Sequence, residues 1–386
     1  MWTASVTATS DTRVSTRWIA PLLATLACAV GPSLSDAPPP ATGAGTERHR
    51  GISWVGGPER VTEKDFQRLV EDHVNWIVQT PFGWQRGLDT PRVAMSTGGH
   101  HMWWGESDEG LIETGRLAKK FGIKVLLKPH LWITRAPKGK WRTDIAMKSD
   151  DDWRRWFDDY GKLILHYARL AEAQGFEGLC IGTELHQAAV QREKDWRKLI
   201  RAVREIYGGK LTYAANWWKE FEEIRFWDDL DWIGIQAYFP LADKNDPSVE
   251  EIRRGWKPHL EAIERVHREF KKPVLFTEIG YKSTENAAVR PWEWGAHRGE
   301  KCTEAGLRTQ ANGYDAFFTT VWNRPWMAGV YWWKWFPRLG RNTEARAGES
   351  FSPQNKPAET IMTEWYRRDA GPARSGKSPA TVTSGQ

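Results

Sequence analysis

A single (β/α)8 barrel, the TIM architecture, is the fold this 386-residue sequence predicts. Three observations carry the prediction. Eight short β-rich runs recur between Gly51 and Phe336, most of them followed by a stretch with helical periodicity. An α/β barrel commonly uses about 250 residues or more as one domain, and the repeating region is of that size. The competing doubly wound sheet usually carries a Gly-rich phosphate turn after its first strand. Here Gly56-Gly57-Pro58 stands in that place and no G-x-G-x-x-G is present.

Taken in order, the first strand is Gly51–Val55, followed by a helix over Thr62–Asp72 with Phe66, Leu69 and Val70 at helical spacing. The second strand is Val74–Gln79. A long loop containing Trp84, His100, His101, Trp103 and Trp104 leads to a helix over Glu109–Phe121. The third strand is Ile123–His130. The next helix, Asp150–Gln174, carries a stripe of Trp153, Trp156, Phe157, Tyr160, Leu163 and Ile164, which marks these Trp residues as core. The fourth strand is Gly178–Leu185, with a helix over Glu193–Tyr207. Strands five and six are Lys210–Asn216 and Trp232–Phe239, and a helix fills Ser248–Phe270. The seventh strand is Pro273–Gly280. A loop with Trp292 and Trp294 precedes a helix over Thr303–Trp322. The eighth strand is Ala328–Phe336, and a last helix spans Pro357–Arg367.

Three segments follow from this order. The barrel occupies residues 46–369, and residues 370–386 form a loose Ser/Gly/Pro-rich tail. Residues 1–45 read as an export signal and linker. Arg13 and Arg17 precede the apolar stretch Trp18–Val30, and a Pro/Ala/Gly-rich run follows. That stretch is too short to span a bilayer comfortably. Cys28 lies in an imperfect lipoprotein cleavage box, with Thr25 where Leu is usual, so a lipid anchor there is the alternative to an ordinary signal peptide. A start of translation after Met1 is a third. The expected location is outside the cytoplasm: secreted, periplasmic or anchored at the cell surface. Of the remaining cysteines, Cys180 lies in an apolar strand and is expected as a buried free thiol, with a bond to Cys302 the alternative.

Composition narrows the function. Hydrophobic residues make up 40% and charged residues 27%, which excludes a disordered chain. Fifty-five Lys and Arg stand against 49 Asp and Glu, scattered in both signs, so a solvated surface is expected and no nucleic-acid partner. The stretch Gly371–Ser378 (GPARSGKS) fits a P-loop pattern but follows a helix in the tail, with too little chain after it to build a nucleotide site. No H-E-x-x-H or Cys/His cluster occurs, and Asp243–Asp246 lacks calcium-loop spacing. Neither a metal nor a cofactor is expected. The outlier is Trp, with 25 residues against 9 Tyr and 14 Phe. Flat aromatic platforms suit the apolar faces of sugar rings.

In a barrel the chemistry sits at the C-terminal ends of the strands. The fourth strand ends Ile181-Gly182-Thr183-Glu184 and the seventh ends Phe276-Thr277-Glu278-Ile279. Each is an apolar run that suddenly presents one Glu. A carboxylate in a buried strand is costly unless paired, and a lone one is as easily a structural ion-pair member. Two of them on strands four and seven would face one another across the mouth. That is the pair glycosidic cleavage requires, one acid to protonate the leaving oxygen and one carboxylate to attack or to activate water.

The segments LLKPHLW (Leu126–Trp132), IGTEL (Ile181–Leu185), YAANWW (Tyr213–Trp218), LDWIGIQAYFP (Leu230–Pro240), LFTEIGY (Leu275–Tyr281) and GVYWWKWF (Gly329–Phe336) together resemble glycoside hydrolase family 113 over Gly51–Pro337. The resemblance implies a retaining β-1,4-mannanase-like enzyme, with Glu184 as acid/base and Glu278 as nucleophile. It also implies a mannan or glucomannan substrate cleaved in endo mode, with another β-linked glycan (glucan, galactan or a bacterial surface polymer) or a non-catalytic carbohydrate-binding role as alternatives. Thr183 stands where the wider clan has Asn, which alters the contact to the sugar 2-hydroxyl. A monomer with a poly- or oligosaccharide partner is expected.

Around the two Glu, Tyr238 can donate to the nucleophile, or cap the core. Asn216 can bind a sugar hydroxyl, or cap a turn. Lys128 and His130 share a face by alternation, so both reach the mouth if that face is inward; a salt bridge and a core His are their alternatives. On the eighth strand Tyr331, Trp333 and Trp335 alternate with Trp332, Lys334 and Phe336, and the resemblance favours Trp333 as the floor of the subsite holding the cleaved sugar. Trp84, Trp103, Trp104, Trp132, Trp217, Trp292 and Trp294 are candidate platforms for further sugars, with Trp84, Trp217 and Trp292 preferred.

Overall fold

The structure, a computed structural model, describes residues 47–95, 102–293, 302–339 and 350–371. Its strands, in chain order, are β1 (His49–Trp54), β2 (Trp76–Gln79), β3 (Phe82–Gln85), β4 (Val93–Met95), β5 (Lys124–Leu127), β6 (His130–Ile133), β7 (Gly178–Thr183), β8 (Lys210–Asn216), β9 (Trp232–Gln236), β10 (Val274–Ile279) and β11 (Met327–Trp335). Eight of them close a barrel in the order β1-β11-β10-β9-β8-β7-β5-β2. The pairings are parallel, including β11 with β1. The predicted (β/α)8 barrel is therefore the observed fold.

Both faces of the barrel strands are buried, so the strands read as nearly continuous apolar runs. Alternation still sorts them. On β2, Trp76 and Val78 point into the barrel with Leu126, Trp232, Leu275 and Tyr331, while Ile77 joins the layer under the helices. His49 completes the floor, stacked on Trp76 at 3.9 Å with Nδ1 3.0 Å from the Tyr331 hydroxyl. Burial pushes its imidazole down to about 3, so it sits there neutral.

The helices begin and end where local chemistry directs. Helix Asp150–Gln174 opens on a Ser149 cap with three Asp in its first turn and closes on left-handed Gly175. Ser248 and Glu251 form a reciprocal capping box before helix Val249–Phe270. Trp153 and Trp156 are buried, as the helical stripe implies. Cys180 is the buried free thiol expected, and burial pushes it up to about 11.

Four expectations change. The third strand ends at Leu127, and His130 instead opens β6, which pairs with β3 in a separate three-stranded sheet, β4-β3-β6. Pro129 falls between the two strands, where its missing N–H interrupts the ladder. A short helix, His186–Gln191, precedes helix Glu193–Arg204. The helix expected over Thr303–Trp322 is α-helical only over Glu304–Phe317 and continues as a wider π-turn over Phe318–Trp322. On β11, Tyr331 points inward and Trp332 outward, but Trp335 also lies in the outer layer, with Arg68 stacked over its ring at 5.5 Å. The register explains this. Ile52 pairs with Trp332 and Trp54 with Trp335, so β11 holds one extra residue, a bulge that flips the following side chains. The amino-terminal segment expected as an export signal, with Cys28, residues His100, His101 and Trp294, and residues 372–386 lie outside the described residues.

Tryptophans of the two environments should separate on unfolding. Trp332, fully buried and stacked on Tyr314 at 3.6 Å, should cost about 3–5 kcal/mol when replaced by Ala. Trp132→Ala, at a half-exposed ring, should change stability by no more than about 0.5 kcal/mol. Denaturant titration of both variants measures the difference.

Candidate active site

Glu278 lies near the C-terminal end of β10, with only 4% of its surface exposed. A carboxylate there needs strong partners. Lys128, just beyond the end of β5, supplies one: its ammonium donates to Glu278 Oε1 and, at 3.1 Å, to the Thr277 carbonyl. Tyr238, two residues past the end of β9, donates its hydroxyl to Glu278 Oε2 at 2.9 Å. Burial, reinforced by the Glu278 charge, holds that phenol well above its ordinary pKa, so it stays a donor. His130 places Nε2 3.6 Å from Glu278 Oε1, beyond hydrogen-bond reach, and that nitrogen has no hydrogen-bond partner among the described residues. Burial first, then the charges of Arg142 and Lys128, drives its imidazole well below the usual value, so it is neutral. Both oxygens of Glu278 are thus held by donors, one from just past β5 and one from just past β9.

Glu184 sits one residue past β7 in the left-handed region, φ 54°, with its amide bonded to the Ala214 carbonyl at 2.9 Å. The approach to that turn is crowded. A Cβ on Gly182 would come within 2.5 Å of the Tyr213 ring and 2.7 Å of Trp196, so no larger residue fits. Burial raises the Glu184 carboxyl, Arg142 pulls it back, and the charge of Glu278 raises it further. The net shift is upward. Arg142 Nε lies 3.3 Å from Glu184 Oε2, and the Trp141 indole donates to the same carboxyl.

Of the remaining predicted residues, Trp333 is linked to this pair through Lys128. Trp333 is half-buried, with the Lys128 ammonium 5.9 Å and the Lys334 ammonium 5.2 Å from its ring centroid. Gly280 lets the chains meet there, since a Cβ would stand 2.6 Å from the Trp333 carbonyl. Asn216 ends β8 and accepts from the Trp218 amide at 2.9 Å, so its side-chain oxygen is engaged in a turn. Trp217 stacks on Trp292 at 5.0 Å, and Trp292 is 41% exposed. Trp84 and Trp132 pair in register on β3 and β6, one step beyond Phe82 and His130. Trp84 also floors a cavity of ≈ 590 Å³ with Arg86, Arg92 and Arg135. Trp103 is exposed and Trp104 packs under Arg60.

Sequence reasoning missed Trp141, Arg142 and Phe82. Trp141 and Arg142 lie in the long connection after β6, where Asp144 caps the Trp141 amide at 3.0 Å and fixes the short turn Arg142–Asp144. Arg142 is buried in spite of its charge, but no pattern in the flanking KGKWRTD foretells that burial. Phe82 follows Pro81 directly after the second barrel strand, and that position was the available signal. Its ring lies between His130 at 5.8 Å and Trp132 at 6.3 Å, and Trp132 in turn meets Trp141 at 5.3 Å. An aromatic wall therefore runs from the Glu278 side of the mouth to the Glu184 side.

The carboxyls are electrostatically linked, and the link has a sign. Glu278→Gln removes a negative charge beside Glu184 and should lower the Glu184 pKa. Arg142→Met removes a positive one and should raise it. A carbon-13 NMR titration of the Glu184 carboxyl in the three proteins reads both shifts.

The β-mannanase AaManA from Alicyclobacillus acidocaldarius, a GH113 enzyme solved in complex with ManMIm, superposes with a TM-score of 0.70 at 26% identity, over 84% of this chain and 98% of that one. A GH113 β-1,4-mannanase superposes with a TM-score of 0.68 at 28% identity, over 83% and 99%. A β-glucuronidase from Ruminococcus gnavus in complex with D-glucuronic acid shares the fold alone, with a TM-score of 0.54 at 11% identity over 82% and 49%. Comparison with curated protein sequences gives no match. The model of Glycoside Hydrolase Family 113 matches residues 56–356, and the chain, with its closed barrel and its two carboxyls at the mouth, belongs to that family and is a glycoside hydrolase.

Proposed function

We propose that the chain is a retaining endo-β-1,4-mannanase acting on mannan or glucomannan, with Glu278 as nucleophile and Glu184 as acid/base. The observation that carries this reading is the contrast between the two carboxyls. Glu278 is held by Lys128 and Tyr238, both donors, which suits an ionised group that must attack. Glu184 is half-buried and its pKa is raised, which suits a group that must give up a proton. The β-mannanase neighbours support the substrate. The amino-terminal charge-and-apolar pattern supports export.

In the first step a Glu278 oxygen attacks the anomeric carbon while Glu184 transfers its proton to the glycosidic oxygen, and the reducing-end portion of the chain leaves. As the bond to Glu278 forms, its negative charge is consumed, and Lys128 and Tyr238 relax their hold together. In the second step Glu184, now a carboxylate, takes a proton from water. The resulting hydroxide attacks the anomeric carbon and releases Glu278. Two inversions leave the configuration unchanged. Neutral His130 can bond a sugar hydroxyl without competing for Glu278. Trp333 offers a flat floor for the sugar being cleaved. The wall of Phe82, Trp132 and Trp141, and the stacked Trp217 and Trp292, offer faces to the units beyond.

Reducing-sugar release from konjac glucomannan and carob galactomannan tests the reading. Glu184→Ala and Glu278→Ala should each lower it by at least about 10²–10⁴-fold. Proton NMR of the first-formed product should show the β-anomer. Release of the α-anomer excludes the retaining route, and a well-folded wild type silent on both mannans excludes the substrate. Because the proton donor is needed in its acid form, kcat/KM should fall as pH rises through the Glu184 pKa. That limb should lie above the ordinary glutamate value, and Arg142→Met should move it to higher pH.

A further inference from the structure

One buried carboxyl takes no part in this mechanism. Glu220 is fully buried, four residues past the end of β8. Its Oε1 accepts the Tyr213 hydroxyl at 2.5 Å, and that same hydroxyl accepts the Leu185 amide at 2.8 Å. Leu185 is the residue after Glu184. Its amide belongs to the peptide that leaves the left-handed turn carrying the Glu184 side chain. The other oxygen, Oε2, accepts the Asn216 amide at 2.7 Å. Asn216 in turn holds the Trp218 amide, and the Trp218 carbonyl accepts the Glu220 amide at 2.7 Å. One buried side chain thus ties the turn bearing Glu184 to the loop bearing Trp217 and Trp218.

We infer that Glu220 and Tyr213 form a positioning relay for the reaction, which acts through the Leu185 amide to hold Glu184 at the angle its proton transfer requires. The inference rests on the assignment of Glu184 as proton donor. A left-handed non-glycine residue costs about 1 kcal/mol or more, so the backbone relaxes unless neighbours fix it. Without the Tyr213 hydroxyl, the Leu185 amide is a buried donor with no acceptor, and the turn has reason to shift. The ring of Tyr213 is separately secured, against Trp196 at 5.2 Å and Phe226 at 5.7 Å, so its hydroxyl can be removed while the packing stays. Burial pushes the Glu220 carboxyl up to about 8, against the lowering by Tyr213 and the Asn216 amide, with the charges of Glu184 and Glu223 adding to the rise. Gln keeps the size of this side chain and one accepting oxygen without a charge, and is its nearest substitute.

The experiment compares two substrates whose leaving groups differ in their need for a proton. Mannotetraose has a sugar leaving group that must be protonated. 2,4-Dinitrophenyl β-mannobioside has one that departs unassisted. For Tyr213→Phe and Glu220→Leu, kcat/KM on mannotetraose should fall roughly 10–100-fold, the scale of a small misplacement of a catalytic group. On the dinitrophenyl substrate it should stay within about twofold of wild type, since that parameter reports the first step alone. Glu220→Gln should recover most of the mannotetraose rate. Equal losses on both substrates, or no loss on either, overturn the relay and leave the functional reading in place. Wild type inactive on both substrates overturns the functional reading and the relay with it. Should Glu220→Leu fail to fold, Tyr213→Phe and Glu220→Gln decide the question.

Discussion

The ion pair between Lys128 and Glu278 is the constraint on which the mouth of this barrel is built. A carboxylate as buried as Glu278 is tolerable only with a counter-charge and with its remaining lone pairs filled. Lys128 supplies the charge and Tyr238 fills the other oxygen. The pair cannot be justified as a source of stability, because an apolar pair of similar volume generally serves a core as well or better. What it provides is an ionised group, dry and fixed in direction, at the open end of the barrel. Other features follow from accommodating it. His130 is neutral first because it is buried, and then because Arg142 and Lys128 repel a further cation. Glu184 is raised by burial and further because it shares the mouth with the Glu278 charge. Arg142 then offsets the two acids, which keeps Glu184 from rising without limit.

How much of this was legible in the sequence depends on whether a residue lies on a strand or between strands. Glu184, Glu278, Lys128 and Tyr238 stand at or just past apolar runs, and a barrel brings all such ends to one rim by topology alone. Their assembly could be anticipated without any distances. Arg142 and Trp141 belong to a connection whose path is set by contacts far away in sequence, such as the packing of Trp141 against Trp132. Nothing in the local pattern distinguishes Arg142 from the exposed Arg residues nearby. The face of Trp335 was lost for another reason. Period-two reasoning assumes an uninterrupted ladder, and one extra residue in β11 is enough to reverse it. The third strand failed in a milder way: Pro129 ended it early, yet Lys128 and His130 still converge on one carboxylate from either side of that break.

Among the described residues, two populations of Trp stand in environments with different physics. Trp156, Trp196, Trp227, Trp256, Trp322, Trp332 and Trp335 are fully buried between sheet and helices, where a large flat ring fills the space a barrel leaves beneath its outer layer. Trp132, Trp218 and Trp292 keep large areas in solvent at the mouth. An exposed indole gains nothing for the fold. Three of them around one opening, beside half-buried Trp84, Trp141, Trp217 and Trp333, make a surface that is apolar yet carries N–H groups, which matches a sugar ring with its apolar face and polar rim.

These two levels meet at Tyr213. Its ring belongs to the first population's packing, against Trp196 and Trp227, while its hydroxyl serves the mouth by way of Leu185. Such a residue carries rigidity from the dense outer layer to a turn that is otherwise a short irregular stretch of backbone. Close-packed interiors do not deform continuously, so a group tethered to one inherits its fixity. The second tether, from Glu220 to Asn216, extends the same fixity to a loop whose indoles are exposed. The barrel therefore does more than bring strand ends together. It anchors the irregular segments between them to its core, and the geometry of a proton transfer is only as firm as that anchoring.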